Sequence, residues 1–152
     1  MYSAVLTIHS WLRWITLILA LAATLNAARR PVPGEPTLPG RGWDTGFMLA
    51  VDLQLLFGLM LYFGLSPFTK EALMNMALAM QTPALRFWAV EHAGGMLLAV
   101  VLVRVGRILA ANSPSPAQAR TRRLTCFALA TVAMLASIPW PGLANGRPFF
   151  RL

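Results

Sequence analysis

At 152 residues the chain suits one domain, and 57% of those residues are hydrophobic while only 12% are charged, far from the roughly 25% charged of soluble globular proteins. With a mean hydropathy of +0.61, it carries more apolar surface than the interior of a water-soluble domain this size can hide. The net charge of +8 does not point to nucleic acid, because the 13 Lys and Arg residues gather in connections and at helix ends instead of on one amphipathic face; topology and lipid headgroup contact account for them.

Four apolar stretches follow one another, each near the ~20 residues that the hydrocarbon core of a bilayer demands. They predict an all-α integral membrane four-helix bundle with the N and C termini on the same side. The first span covers about 3–27. Its end, Leu25-Asn26-Ala27, has the outline of a signal-peptide cleavage site, but no basic region precedes the apolar run and Arg13 interrupts it, so the segment is expected to stay as a span. Four prolines and three glycines in 28–42 forbid a continued helix there and predict a loop. The second span covers about 45–65. In the next connection, 66–82, Leu73, Met76, Ala77 and Met80 recur at helical spacing, which predicts a short helix lying at the membrane surface. The third span covers about 83–111 and ends at the proline-broken turn Asn112-Ser-Pro-Ser-Pro-Ala117. The fourth, about 120–140, has its apolar part at Leu124–Ile138 and carries Arg120, Arg122 and Arg123 on its entry turn. The proline- and glycine-containing tail from Pro139 is expected to be irregular.

Short cytoplasmic loops carry an excess of Lys and Arg. Arg29, Arg30, Arg41, Arg107, Arg120, Arg122 and Arg123 fall on the side of the first and third connections, against Lys70, Arg86, Arg147 and Arg151 on the other. Both termini are therefore expected outside the cytoplasm, in a bacterial inner membrane. Trp11, Trp88 and Trp140 fit an outer interfacial belt and Trp43 an inner one. Gly58, Gly64, Gly94 and Gly95 suit close helix contact.

The candidate chemistry lies with two histidines, His9 on the first span and His92 on the third. Ionisable side chains inside spans are costly and mark function by default. Both helices start from the same face, and at 1.5 Å per residue His9 lies ~8 Å and His92 ~13 Å below their starts. Two imidazoles at one level on different helices are an arrangement that holds a porphyrin iron from both sides, which points to haem b. Cys126 is the only cysteine, so covalent haem attachment through Cys-x-x-Cys-His, intrachain disulfides, iron–sulfur ligation and thiolate zinc sites are excluded; it is expected to pack inside a helix. Gly94 and Gly95 would let a flat macrocycle approach the backbone, and Arg13, four residues after His9 on the same face, would pair with a propionate. Arg86, Arg147 and Arg151 are further candidates on that side. The bland alternatives stand beside these readings: single interhelical hydrogen bonds for the histidines, helix packing for the glycines, and snorkelling to the headgroups for Arg13. Asp52 and Glu91 read as the two buried acids, with an Asp52–Arg104 ion pair favoured over a proton-transfer or quinone role and Glu91 set to pair with Arg13 or Arg86. No hydrolytic triad or phosphate loop is recognisable.

The segments Leu6-Thr-Ile-His-Ser-Trp-Leu-Arg-Trp14, Gln54-Leu-Leu-Phe-Gly-Leu-Met-Leu-Tyr-Phe63, Arg86-Phe-Trp-Ala-Val-Glu-His92 and Ile138-Pro-Trp-Pro141, followed by Arg147-Pro148, resemble a family of small bacterial four-helix membrane proteins commonly labelled cytochrome b. The resemblance spans nearly the whole chain and implies His9 and His92 as haem ligands. Where that family often has a further histidine on the second helix, this chain has Asp52.

These readings converge on a b-type cytochrome that is not an enzyme by itself and passes electrons between a quinol and an outer-side partner, with membrane lipids around it. A cofactor-free subunit of a larger respiratory or photosynthetic complex, or a bacteriochlorophyll-binding one, is the alternative.

Overall fold

The computed structural model describes residues 1–30 and 41–150, and within them every regular element is helical. The expected loop at 28–42 falls mainly on 31–40 and, like Arg151, lies outside the described residues. Helix α1 spans Tyr2–Ala28; α2, Arg41–Leu59, runs on into a π-helical turn, Met60–Leu65. Two short helices, α3 (Pro67–Met74) and α4 (Met76–Gln81), lead to α5 (Pro83–Arg86), a second π-helical turn (Phe87–Glu91), α6 (His92–Ala111) and α7 (Pro116–Ser137). The helical stretches Tyr2–Ala28, Gly42–Leu65 and Pro83–Ala111 are long and apolar enough to cross a membrane. Helix α7 differs for a plain reason. Ser115 caps it through the Gln118 amide, and three arginines occupy its first turns, so its uncharged part, 124–137, falls short of the ~20 residues a span needs.

These four long helices share one core: Ala20, Ala23 and Ala27 of α1, Phe47 and Val51 of α2, Ala99 and Val103 of α6, and Phe127, Ala130 and Met134 of α7. Alanines on α1 let backbones approach, and Phe47 meets Phe127 edge to face with ring centroids 5.6 Å apart. The α6–α7 seam is the most extensive because glycines face it. A methyl group on Gly106 would sit 2.6 Å from Cys126 Cβ, and one on Gly95 would collide with the Ser137 hydroxyl. Gly106→Ala is therefore expected to cost about 1–3 kcal/mol by overpacking, read as a lower unfolding temperature in detergent.

The charged groups are arranged differently from the expectation. Asp52 does pair with Arg104, at 2.5 Å, and Glu91 with Arg86, at 2.7 Å, but all four side chains are 40–49% exposed. The buried acid is Asp44, 5% exposed, with Arg123 at 4%. Their closest approach is 3.6 Å, and Arg123 also donates to Asn26 Oδ1 at 3.1 Å, tying α1, α2 and α7 together. At the same end, Arg120 donates to the carbonyls of Ala28 and Arg29, which satisfies the open end of α1.

The predicted surface helix is two helices. Asn75 leaves helical geometry between them and its side chain caps the second through the Leu78 amide. Leu73, Met74, Met76, Leu78 and Met80 are exposed along this connection. The tail has no regular helix, yet it is tied down. It folds back so that Trp140 Nε1 donates to the Leu135 carbonyl, while Arg13 and Trp14 both donate to that of Phe149.

A candidate cofactor cavity between His9 and His92

At the end of the molecule opposite Arg123, a cavity of about 550 Å³ opens among α1, α2, α6 and the tail, a size within the ordinary range for small-molecule sites. Its upper wall comes from both π-helical turns. Each inserts one extra residue per turn and leaves backbone groups to be satisfied elsewhere. The Tyr62 hydroxyl donates to the Ala89 carbonyl at 3.0 Å, joining the two turns, and the Thr69 hydroxyl donates to the Tyr62 carbonyl at 2.7 Å. These bonds tie the two turns and α3 into one wall.

His9 and His92 both line the cavity, with ring centroids 6.4 Å apart and ring planes at 73°. The Gln54 amide nitrogen fixes His9, standing 3.1 Å from its carbonyl oxygen and 3.2 Å from its ring Nε2. Gly58 makes room for the ring, since a methyl group there would touch His9 Cε1 at 3.4 Å. His9 Nδ1 is buried with no hydrogen-bond partner among the described residues. Across from it, His92 Nδ1 lies 2.8 Å from the Ser137 carbonyl; donating there selects the tautomer whose Nε2 is free to accept or ligate. Phe87 and Trp88 flank the His92 ring.

Of the other expected residues, Arg13 and Gly94 line the cavity, and nothing lies within 4 Å of a methyl group added to Gly94. Gly95 does not line it; it packs against Ser137 of α7, the residue whose carbonyl meets His92. Arg147 reaches the cavity from the tail, its guanidinium 5.3 Å from the centroids of both Phe68 and Trp88. Arg86 is engaged by Glu91 outside the cavity. Gln54, Gly58, Tyr62 and Thr69 escaped the sequence reading as site residues. The one available signal was Gln54, a polar side chain within an apolar span.

The donor set can be tested for what it holds. Among the described residues no group of three or more His, Cys, Asp or Glu is placed to hold a bare metal ion. A porphyrin supplies four nitrogens of its own, so its iron needs protein ligands only at the axial positions. Imidazole nitrogens bind metals such as zinc at about 2.0–2.1 Å, and adding the ring radii puts two imidazoles that share one metal roughly 6 Å apart between centroids. The observed spacing and the hydrogen-bonded far nitrogen on His92 fit that requirement. Compared with models of known protein families, with curated proteins and with solved structures, the chain matches none.

Proposed function

We propose that this protein is a bacterial inner-membrane electron carrier of the cytochrome b kind, a bundle of four membrane-crossing helices that holds haem b between His9 and His92. The observation that carries the reading is the meeting of these two imidazoles, 6.4 Å apart, at a largely apolar cavity. When bound, the haem supplies one-electron redox chemistry, and the chain's own part is to hold, orient and shield it. Ser137 and Gln54 fix the two imidazole orientations, Gly94 leaves space beside the backbone, and Phe87, Trp88 and the tail exclude water. Arg13 and Arg147 are the cations available to propionates.

The arginines around the first and third connections support a reading with that end in the cytoplasm and both termini outside. The cavity then opens toward the outer side, where a quinol could donate and a further carrier or a larger membrane complex accept. Helix α7 crosses despite its short apolar part, its arginines remaining at the cytoplasmic boundary.

The deciding experiment is an absorption spectrum of the purified protein before and after dithionite. Sharp α and β bands on reduction are expected. Far-red bands would assign a chlorin, and a flat visible spectrum after growth with ample haem would overturn the cofactor reading. Gly94→Leu separates cavity from packing: it is expected to lower haem content while leaving the unfolding temperature of the haem-free protein nearly unchanged, because the added side chain meets open space. Gly95→Ala is expected to lower that unfolding temperature, because its methyl group meets the Ser137 hydroxyl.

A further inference from the structure

Asp52 on α2 and Arg104 on α6 close their ion pair across the sparsest of the four seams that link the long helices into a ring. Asp52 stands about 15 Å along the helix axis from Gly42, and Arg104 about 10 Å from Ala111. In the membrane reading both therefore lie within the hydrocarbon. Their side chains are nevertheless 41% and 49% exposed, and Leu49, Leu56, Val101, Val105 and Ile108 around them are exposed as well. A guanidinium carries five N–H donors. Its bond to Asp52 is the one side-chain hydrogen bond that Arg104 makes among the described residues.

Facing acyl chains, this arrangement is expensive: lipid offers no acceptor for the remaining N–H groups and no donor for the second carboxylate oxygen. At this depth Asp52 is too short to reach the headgroups. The pair needs a protein neighbour that brings both a donor and an acceptor to the same level. We propose that this neighbour is a second copy of the chain, packed on the α2–α6 face to form a two-fold symmetric dimer. Two copies inserted in the same direction are related by an axis along the membrane normal, which keeps every residue at its own depth. Asp52 of each copy then faces Arg104 of the other, and the two pairs close a ring of four alternating charges at an isologous interface. A different protein would need its own matched charges at this level; a second copy has them by construction. The inference uses the membrane reading and is independent of the haem, since neither Asp52 nor Arg104 lines the cavity.

The test is the oligomeric state of the full chain in phosphatidylcholine vesicles by single-molecule photobleaching, with the protein-to-lipid ratio varied. The wild type is expected to dimerise. The double variant Asp52→Leu with Arg104→Leu is expected to raise the dimer dissociation constant about tenfold, on the order of what one or two interhelical hydrogen bonds contribute in a membrane. A second measurement keeps the charged pair intact: Val105→Cys in a Cys126→Ala background should form an intermolecular disulfide on mild oxidation of native membranes. A wild type that stays monomeric at every ratio, a double-leucine variant that dimerises as tightly as wild type, or a Val105→Cys chain that does not cross-link to itself would each overturn the proposal. Failure of the spectral test for haem would leave it untouched.

Discussion

Replacing His92 by alanine, or His9 by alanine, is expected to abolish the reduced-minus-oxidised haem spectrum of the purified protein. The two imidazoles are not interchangeable supports: each is fixed by a different element, His92 by the Ser137 carbonyl at the end of α7 and His9 by Gln54 of α2. Under the proposed reading, loss of either would leave one histidine to hold the group in a cavity with no third. Bound haem should fall by more than the roughly 10–100-fold that loss of a supporting contact costs a metal site. Gln54→Leu removes only such a supporting contact, so its effect should lie within that range, with a shifted spectrum for the haem that remains. Circular dichroism separates these outcomes from misfolding, since neither histidine belongs to the shared core of the four long helices. If both alanine variants retain full haem content, the ligands are wrong.

The second large effect lies at the other end of the molecule. Arg123→Met is expected to destabilise the protein by about 3 kcal/mol, because it leaves the buried Asp44 carboxylate without its nearest cation, with only the charge of Arg107 still acting on it among the described residues. Asp44 Oδ1 already has no hydrogen-bond partner among the described residues, so the group has little in reserve. Asp44→Asn should cost less, since the Arg123 cation it leaves without a carboxylate keeps its bond to Asn26 Oδ1. Replacing both residues together, Asp44→Leu with Arg123→Met, should recover part of the loss, since an apolar pair removes both desolvation penalties. Unfolding temperature in detergent reads all three variants, and equal destabilisation by Arg123→Met and the double variant would show that the pair is not coupled.

Both effects involve residues whose legibility in the sequence differed. His9 and His92 stood out because an imidazole inside an apolar run is costly, and their matched depth followed from helix rise alone. Asp44 and Arg123 did not stand out. Each lies near the start of its helix, where a charged residue normally meets headgroups and water, and nothing local shows that α1 covers both. The reverse error was made for Asp52 and Glu91, which lie deep within apolar runs and so read as buried although they face outward. The π-helical turns were equally invisible: Met60–Leu65 and Phe87–Glu91 have the composition of ordinary apolar helix, and the extra residue in each is retained because tertiary bonds from Tyr62 and Thr69 satisfy the displaced carbonyls.

Chain composition and hydropathy were enough to establish an all-helical chain with apolar stretches long enough to cross a membrane, and the two imidazoles worth watching, because length, apolarity and helix rise are properties of each segment alone. Which faces meet was beyond that reach. Helices that are apolar on every side carry no stripe to orient them, so the facing of His9 toward His92, the closing of Gly95 on Ser137, and the outward stance of Asp52 and Arg104 depend on packing between segments. That packing is set by where small residues let backbones close, at Gly95 and Gly106 against α7, and by the bonds through which Tyr62 and Thr69 link the two π-helical turns and α3.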